Sequence, residues 1–574
     1  MRGANAVLAS VFGTAVLFTA WACGSGSKSL RGDRFQDLLR PPDAVTVVTE
    51  NGLLQLAREG ETWRSAGIEV AAAVRDGRLR IELSAPGAAV KYLEARWAAD
   101  PPAGWKYLGD AWERSYGELE WRPLDADREM PWYFLASDGR TAHGYGVMTQ
   151  PAAMCAWKAG AQDMTLTADV RCGGAGVRLG GRRLVVCDVT SRRGRPGETP
   201  FEAARAFCRQ MCPAPRLPKE PVYGFNDWYC DYGKNSAESV LYYAAFVARL
   251  SPKAGNRPFM VIDDGWQATG GGTGYGGPWD RGNANFPSMP GLADGIRKAG
   301  ARPGIWIHLL TAQNGQPEAW RLRHDPRILD ISVAEVRRYV METVARLRAW
   351  GYELIKHDYS VSDLAGYTRA APGPEAVWAY ADRSRTAAEI VLDHYRSLRE
   401  AAGDGGILIG CNTIGHLAAG LFELERIGDD TSGRDWSRVR NRGVNALGFR
   451  APQHGAFFAA DADCVGLTEA EAIPWACNRL WLDLLARSGT PLFISFKRGA
   501  LTAEQEKAVA GALAIASRPQ PLGEPLDWFE AVNPTRGLAA ISHLEGGAAP
   551  RRWKLMGRTV EYDWTCGQSR SPSK

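Results

Sequence analysis

The chain has 574 residues, 45% of them apolar and 10% aromatic, and a net charge of +5. That length exceeds what a single core usually supports, roughly 250–300 residues, so more than one domain is expected. The 64 glycines and 33 prolines are dispersed and basic residues alternate with acids, which excludes a collagen-like chain, a repeat array and a basic nucleic-acid stripe.

The N-terminus carries Arg2, an apolar run from Ala6 to Ala22, then Cys23 and a Gly/Ser-rich stretch. Ala20-Trp21-Ala22 fits an A-x-A cleavage site, so residues 1–22 read as a signal peptide, with an uncleaved anchor as the alternative. Cys23 also suits lipidation and attachment to a membrane, so the body of the protein is expected to be exported: periplasmic, a cell-surface lipoprotein or secreted. Ten of the 11 cysteines lie beyond Cys23; Cys208 with Cys212 and Cys155 with Cys172 are candidate pairs. No C-x-x-C or H-E-x-x-H occurs, so neither a metal nor a cofactor is expected.

Residues 30–217 read as β-rich, with runs such as Ala44–Thr49, Leu79–Leu83 and Leu184–Val189 between turn residues and no sustained helical pattern. A β-sandwich domain is predicted there. Pro213 to Pro221 holds four prolines and reads as a linker.

From Val222 strands alternate with helices over residues 218–518. The strand candidates are Val222–Asn226, Phe259–Asp263, Pro303–His308, Glu353–Asp358, Ile407–Asn412, Leu424–Asp429, Phe457–Asp461 and Pro491–Phe496. The clearest helix is Val333–Trp350, preceded by an S-x-x-E capping box at Ser332 and Glu335. This alternation predicts a (β/α)8 TIM barrel; an open doubly wound sheet is the alternative, without a G-x-G-x-x-G to support it. Residues 519–574 return to short strands, Leu538–Ser542 and Trp553–Met556 among them, and predict a small C-terminal β-domain.

A barrel of this kind places its site at the C-terminal strand ends. Acids gather there: Asp263 and Asp264 on strand two, Asp358 on four, Asp429 and Asp430 on six, Asp461 and Asp463 on seven. Glycosidic cleavage needs two carboxyl groups, and in retaining enzymes they stand about 5–5.5 Å apart. Asp358 and Asp430, two strands apart on one rim, are the candidates. Each residue also has a plainer reading. Asp429 and Asp430 can cap a helix, Trp306 can pack the barrel, Lys356 and Asp358 can be an ion pair, and Asp461 with Asp463 can bind a cation.

Asp263-Asp264-Gly265-Trp266-Gln267 resembles the D-D-G-W signature of the α-galactosidase/melibiase superfamily. Gly224–Trp228 resembles its first strand with Asp227 in place of serine, and Phe286-Pro287 through Gly304-Ile305-Trp306 resembles its third-strand run. Lys356-His357-Asp358 resembles the K-x-D of its nucleophile, Arg426 with Asp430 the R-x-x-x-D of its acid/base, and Asp461–Cys464 its D-P-D-C. The resemblance implies Asp358 as nucleophile and Asp430 as acid/base. It implies that Asp263, Asp264 and Lys356 bind the 3-, 4- and 6-hydroxyls of a terminal galactose-like sugar, that Arg426 sits near the 2-hydroxyl, and that Trp306 walls the pocket. It also implies a barrel with a C-terminal β-domain and often an N-terminal sandwich, acting on an oligosaccharide or polysaccharide.

Two departures bear on specificity. Cys411-Asn412-Thr413 stands where many members carry C-S-G-G-G near the sugar's 2-position, so β-L-arabinopyranosidase and α-N-acetylgalactosaminidase activities stay open beside α-galactosidase. Gly109–Arg114, dense in polar and aromatic groups, is either a lid over the barrel mouth or an inter-domain contact. From other classes, a non-catalytic carbohydrate-binding surface protein and a metal-dependent phosphoester hydrolase are the alternatives.

Overall fold

A computed structural model describes residues 35–102, 104–253, 255–269, 276–360, 378–467, 473–533 and 548–566. The leader, Cys23 and the predicted strand Leu538–Ser542 lie outside the described residues. The chain from Gln36 onward forms one compact unit.

The N-terminal region holds two antiparallel sheets, of seven and nine strands. The predicted strands appear as Ala44–Thr49, Arg78–Ser84 and Arg183–Arg192. Ala44–Thr49 and Arg78–Ser84 alternate buried with half-exposed positions, as strands with one face on a core do. Trp157 of the first sheet meets Phe134 of the second edge-on at 6.0 Å. One element differs from the sequence reading: Pro200–Met211 is a helix. Its Thr199–Glu202 capping box and N-terminal proline start it, and Gly144 lets it approach, since a Cβ there would lie 2.4 Å from the Phe207 ring. Residues 212–222 then run without regular structure.

All eight predicted strands of the next region form: Tyr223–Asn226, Phe259–Ile262, Arg302–Ile307, Leu354–His357, Ile407–Gly410, Leu424–Arg426, a seventh in two pieces, and Leu492–Phe496. Every pairing among them is parallel. The seventh strand breaks at Ala462-Asp463. Ala459–Asp461 pairs with strand six, while Cys464–Leu467 pairs with strand eight. The two ends of the pairing order are therefore consecutive pieces of chain, and the sheet curls on itself. One buried apolar cluster agrees, joining Phe259, Leu354, Ile409, Leu424, Ala459 and Phe493.

The best-predicted helix forms as Ala334–Ala349, but its predicted capping box does not. Val333 is the N-cap, and the Ser332 hydroxyl instead donates to Asp330 at 2.6 Å. A three-stranded antiparallel sheet, Glu524–Pro525, Arg552–Leu555 and Arg558–Glu561, follows the last helix. Neither predicted cysteine pair forms: Cys155, Cys172, Cys208 and Cys212 are free and buried. Cys477 is instead bonded to Cys566, tying the helix Trp475–Arg487 to the C-terminal segment. No helix among the described residues is long and apolar enough to cross a membrane.

Candidate active site

A small cavity of about 60 Å³ opens at the C-terminal ends of the parallel strands. All eight residues singled out from the sequence line it: Asp263, Asp264, Trp306, Lys356, Asp358, Cys411, Arg426 and Asp430. Arg114, Asn226, Trp228, Tyr229, Tyr359, Asn412 and Asp463 line it as well. A larger cavity of about 250 Å³, bordered by Val222, Ala459 and Pro491, lies at the opposite strand ends and presents no carboxylate pair among its described lining residues.

Strand two supplies Asp263, whose Oδ2 accepts from Lys356 Nζ and from Asn226 Nδ2, both at 2.7 Å. Lys356 thus pairs with Asp263, not with its neighbour Asp358 as one sequence reading allowed. Burial would depress the Lys356 ammonium, but Asp263, then Cys411 and Asp358, outweigh it and hold it above the ordinary lysine range. Asp227 fixes this corner by accepting the Asp263 amide at 2.6 Å and Asn235 Nδ2 at 3.1 Å. Burial pushes the Asp227 carboxyl well above its usual range, which suits an internal strut.

Strand four ends in Asp358, 7% exposed. Its Oδ2 accepts from the Trp306 indole at 2.9 Å, and its Oδ1 from Asn412 Nδ2 at 2.6 Å and the Tyr359 amide at 2.8 Å. Trp306 is therefore a polar partner of Asp358 as well as a wall. Tyr359 and Asn412 both hold positive φ, 66° and 51°, conformations that L-residues seldom adopt without a reason. Two left-handed backbone positions thus flank this carboxylate.

Strand six supplies Arg426, 3% exposed, and the loop beyond it Asp429 and Asp430. Arg426 reaches Asp463 Oδ2 at 3.1 Å and Asp430 Oδ1 at 3.3 Å, and donates to the Cys411 sulfur at 3.6 Å. Asp463 sits in the break of strand seven at φ 74° and accepts from the Thr431 amide and hydroxyl and from the Tyr229 hydroxyl. These contacts of Asp463 Oδ2 tie down the loop that carries Asp430. The helix-cap reading of Asp429 and Asp430 also fails, because Asp435 caps the following helix.

Asp430 is surrounded by cations. Arg114 and Arg426 both stand 3.3 Å from its Oδ1, and Arg438 4.0 Å from Oδ2. Burial raises this carboxyl, but Arg114, then Arg426, Lys356 and Arg438, pull it well below the ordinary carboxylate range. Its side chain is 32% exposed, so solvent moderates that pull.

Arg114 and Asn412 escaped the sequence reading as site residues. Asn412 carries no pattern beyond its place after a strand. Arg114 lies in the polar-aromatic stretch Gly109–Arg114, but in the connection between the N-terminal strands Lys106–Gly109 and Arg122–Pro123, and only the fold brings it to this cavity.

No protein-family model matches the chain. Its structure is similar to that of the α-galactosidase TtGalA from Thermus thermophilus in complex with p-nitrophenyl α-D-galactopyranoside. The TM-score is 0.55 and the identity 17%, over 91% of this chain and 99% of that one. A variant of the GH36 α-galactosidase AgaA from Geobacillus stearothermophilus, in complex with 1-deoxygalactonojirimycin, matches with TM-score 0.54 and 13% identity over 88% and 85% of the two chains. AgaB from the same organism matches with TM-score 0.53 and 14% identity over 86% and 81%. The chain thus has the fold of the GH36 α-galactosidases.

Proposed function

We propose that the protein is a retaining, exo-acting glycoside hydrolase that releases a terminal α-galactose or a similar sugar through a covalent glycosyl-Asp358 intermediate. In this reading residues 218–518 are a catalytic (β/α)8 barrel, 30–217 an N-terminal β-sandwich and 519–574 a small C-terminal β-domain. The observation that carries it is the pair Asp358 and Asp430 on one cavity, each in a different environment. The fold supports it, since relatives of that fold are α-galactosidases in complexes with stachyose and raffinose.

The mechanism follows from the neighbours of each carboxylate. Asp358 is oriented by the Trp306 indole, Asn412 and the Tyr359 amide, which lets it attack the anomeric carbon. Asp430 gives a proton to the departing oxygen and takes one back from the water that releases the sugar. Asp263, Asp264 and Lys356 supply the acceptors and the donor for the hydroxyls of the sugar held between them, and Arg426 and Cys411 lie toward strand five. The Cys477–Cys566 bond suits an oxidising compartment, so we also propose export, with Cys23 as the site of lipidation if the protein is anchored.

Hydrolysis of a panel of p-nitrophenyl glycosides by the purified protein, with Asp358→Asn beside it, tests the reading. Release from the α-galactoside, falling by about 10⁴-fold or more in the variant, is expected. Release only from the β-L-arabinopyranoside or α-N-acetylgalactosaminide would keep the mechanism and change the sugar. Binding of galactosides without turnover would replace the enzyme with a carbohydrate-binding protein.

A further inference from the structure

We propose that Arg114, delivered by the segment Asp110–Glu118 of the N-terminal region, is a positioning residue for Asp430: it clamps one carboxylate oxygen and leaves the other to carry the proton. This rests on the acid/base reading of Asp430.

The segment is built into the cavity wall. Ser115 pairs with the loop after strand six as a short parallel bridge, its amide donating to Ile427 O and its carbonyl accepting from the Asp429 amide, both at 2.9 Å. Asp110 anchors the approach through Arg450 Nε at 2.7 Å and Gln453 Nε2 at 2.8 Å. The Arg114 guanidinium lies over the Tyr116 ring at 5.6 Å, and the Tyr116 hydroxyl donates to Glu113 at 2.6 Å. Held on both sides, Arg114 is 11% exposed and forks between two acids, with NH2 2.7 Å from Asp429 Oδ1 and NH1 3.3 Å from Asp430 Oδ1.

The fork explains the adjacent acids. Asp429 also pairs with Arg442 and Arg438, so it fixes the guanidinium while remaining outside the cavity lining. Asp430 Oδ1 takes both Arg114 and Arg426, whereas among the described residues the cation nearest Oδ2 is Arg438, at 4.0 Å. Oδ2 is therefore the oxygen that donates to the leaving group.

The cations facing Asp430 are Arg114, Arg426, Lys356 and Arg438; the acids are Asp429 on its own loop, Asp358 from strand four and Asp463 from strand seven, with the Tyr229 phenol beside them. Burial favours the protonated carboxyl, and Arg114 is the strongest of the cations that reverse this. A nearby positive charge lowers a carboxyl's proton affinity, so removing Arg114 raises it. In a retaining enzyme the alkaline limb of kcat/KM reports the proton on the acid, so that limb should move to higher pH.

The test compares the full chain with Arg114→Gln and Arg114→Lys on raffinose, which needs the proton, and on p-nitrophenyl α-galactoside, which needs it less. Arg114→Gln should shift the alkaline limb on raffinose upward by roughly one pH unit, and Arg114→Lys should restore the wild-type limb while lowering kcat. A ¹³C-carboxyl NMR titration of Asp430, assigned by its loss in Asp430→Asn, should show the same shift without turnover. An unmoved limb and titration in Arg114→Gln, with activity falling equally on both substrates, would overturn the proposal and leave Arg114 an inter-domain strut. If Asp430→Ala kept the wild-type rate on raffinose, the acid/base reading itself would fall, whatever Arg114 does.

Discussion

The two carboxylates of this cavity are the same chemical group in two settings. Among the described residues the hydrogen-bond donors to Asp358 are neutral, an indole, a carboxamide and a backbone amide, and the Lys356 ammonium acts on it only through space. Asp430, beyond strand six, is met by three guanidiniums. Neutral donors fix where a carboxylate points without cancelling its charge, which suits a group that must attack. Cations loosen a carboxylate's hold on a proton, which suits a group that must give one up readily and be ionised when it takes one from water. Two aspartates can thus take different roles without any difference in side chain.

Substitutions on each side should respond differently if that contrast governs the chemistry. Asp430→Ala should cost about 10²–10⁴-fold in kcat/KM on raffinose and less than about tenfold on the p-nitrophenyl α-galactoside. Equal losses on the two substrates would erase the distinction between the carboxylates. Trp306→Phe removes the donor to Asp358 Oδ2 and should lower kcat about 10- to 100-fold on both substrates alike, the value of a hydrogen bond to a charged group. A loss dependent on the leaving group would mean that Trp306 acts through the acid instead.

The smallest effect lies behind the site. Burial pushes the Glu425 carboxyl up to about 8. Its proton is then held in the folded protein and released by the unfolded chain from its ordinary value of 4.5 upward. The stabilisation is complete below that value and disappears as pH rises toward 8. Glu425→Gln, which mimics the protonated form, should therefore lose less Tm than the wild type between pH 5 and 8, by about 2–4 °C in a thermal scan. Parallel scans would place the titration elsewhere.

The sequence made the strands and the acids at their ends legible because both are local. Fully buried parallel strands read as short apolar runs, and Asp263, Asp358 and Asp430 each follow one directly or within a short loop. What it left hidden depends on distant chain. Arg114 meets Asp430 across 316 positions, and Asn412 reaches Asp358 across 54. The expected cap at Ser332 failed for a related reason. Its hydroxyl had a stronger acceptor in Asp330, held by the amide of Ala381 from another loop. The half-cystines Cys477 and Cys566 are separated by 89 residues, beyond any spacing rule.

The break in strand seven has a mechanical meaning. The curled sheet brings its two ends together at a lap joint, with one piece of strand seven bonded to each neighbour and two residues between. Asp463 is the rivet. Its left-handed backbone makes the offset, and its side chain fastens the joint to Thr431 and Arg426 on the next stave. A glycine would satisfy the backbone and lose the fastening, while a glutamate would keep the charge and strain the offset. The joint in the sheet and the placement of the loop bearing Asp430 therefore meet at one residue, so a change there reaches both.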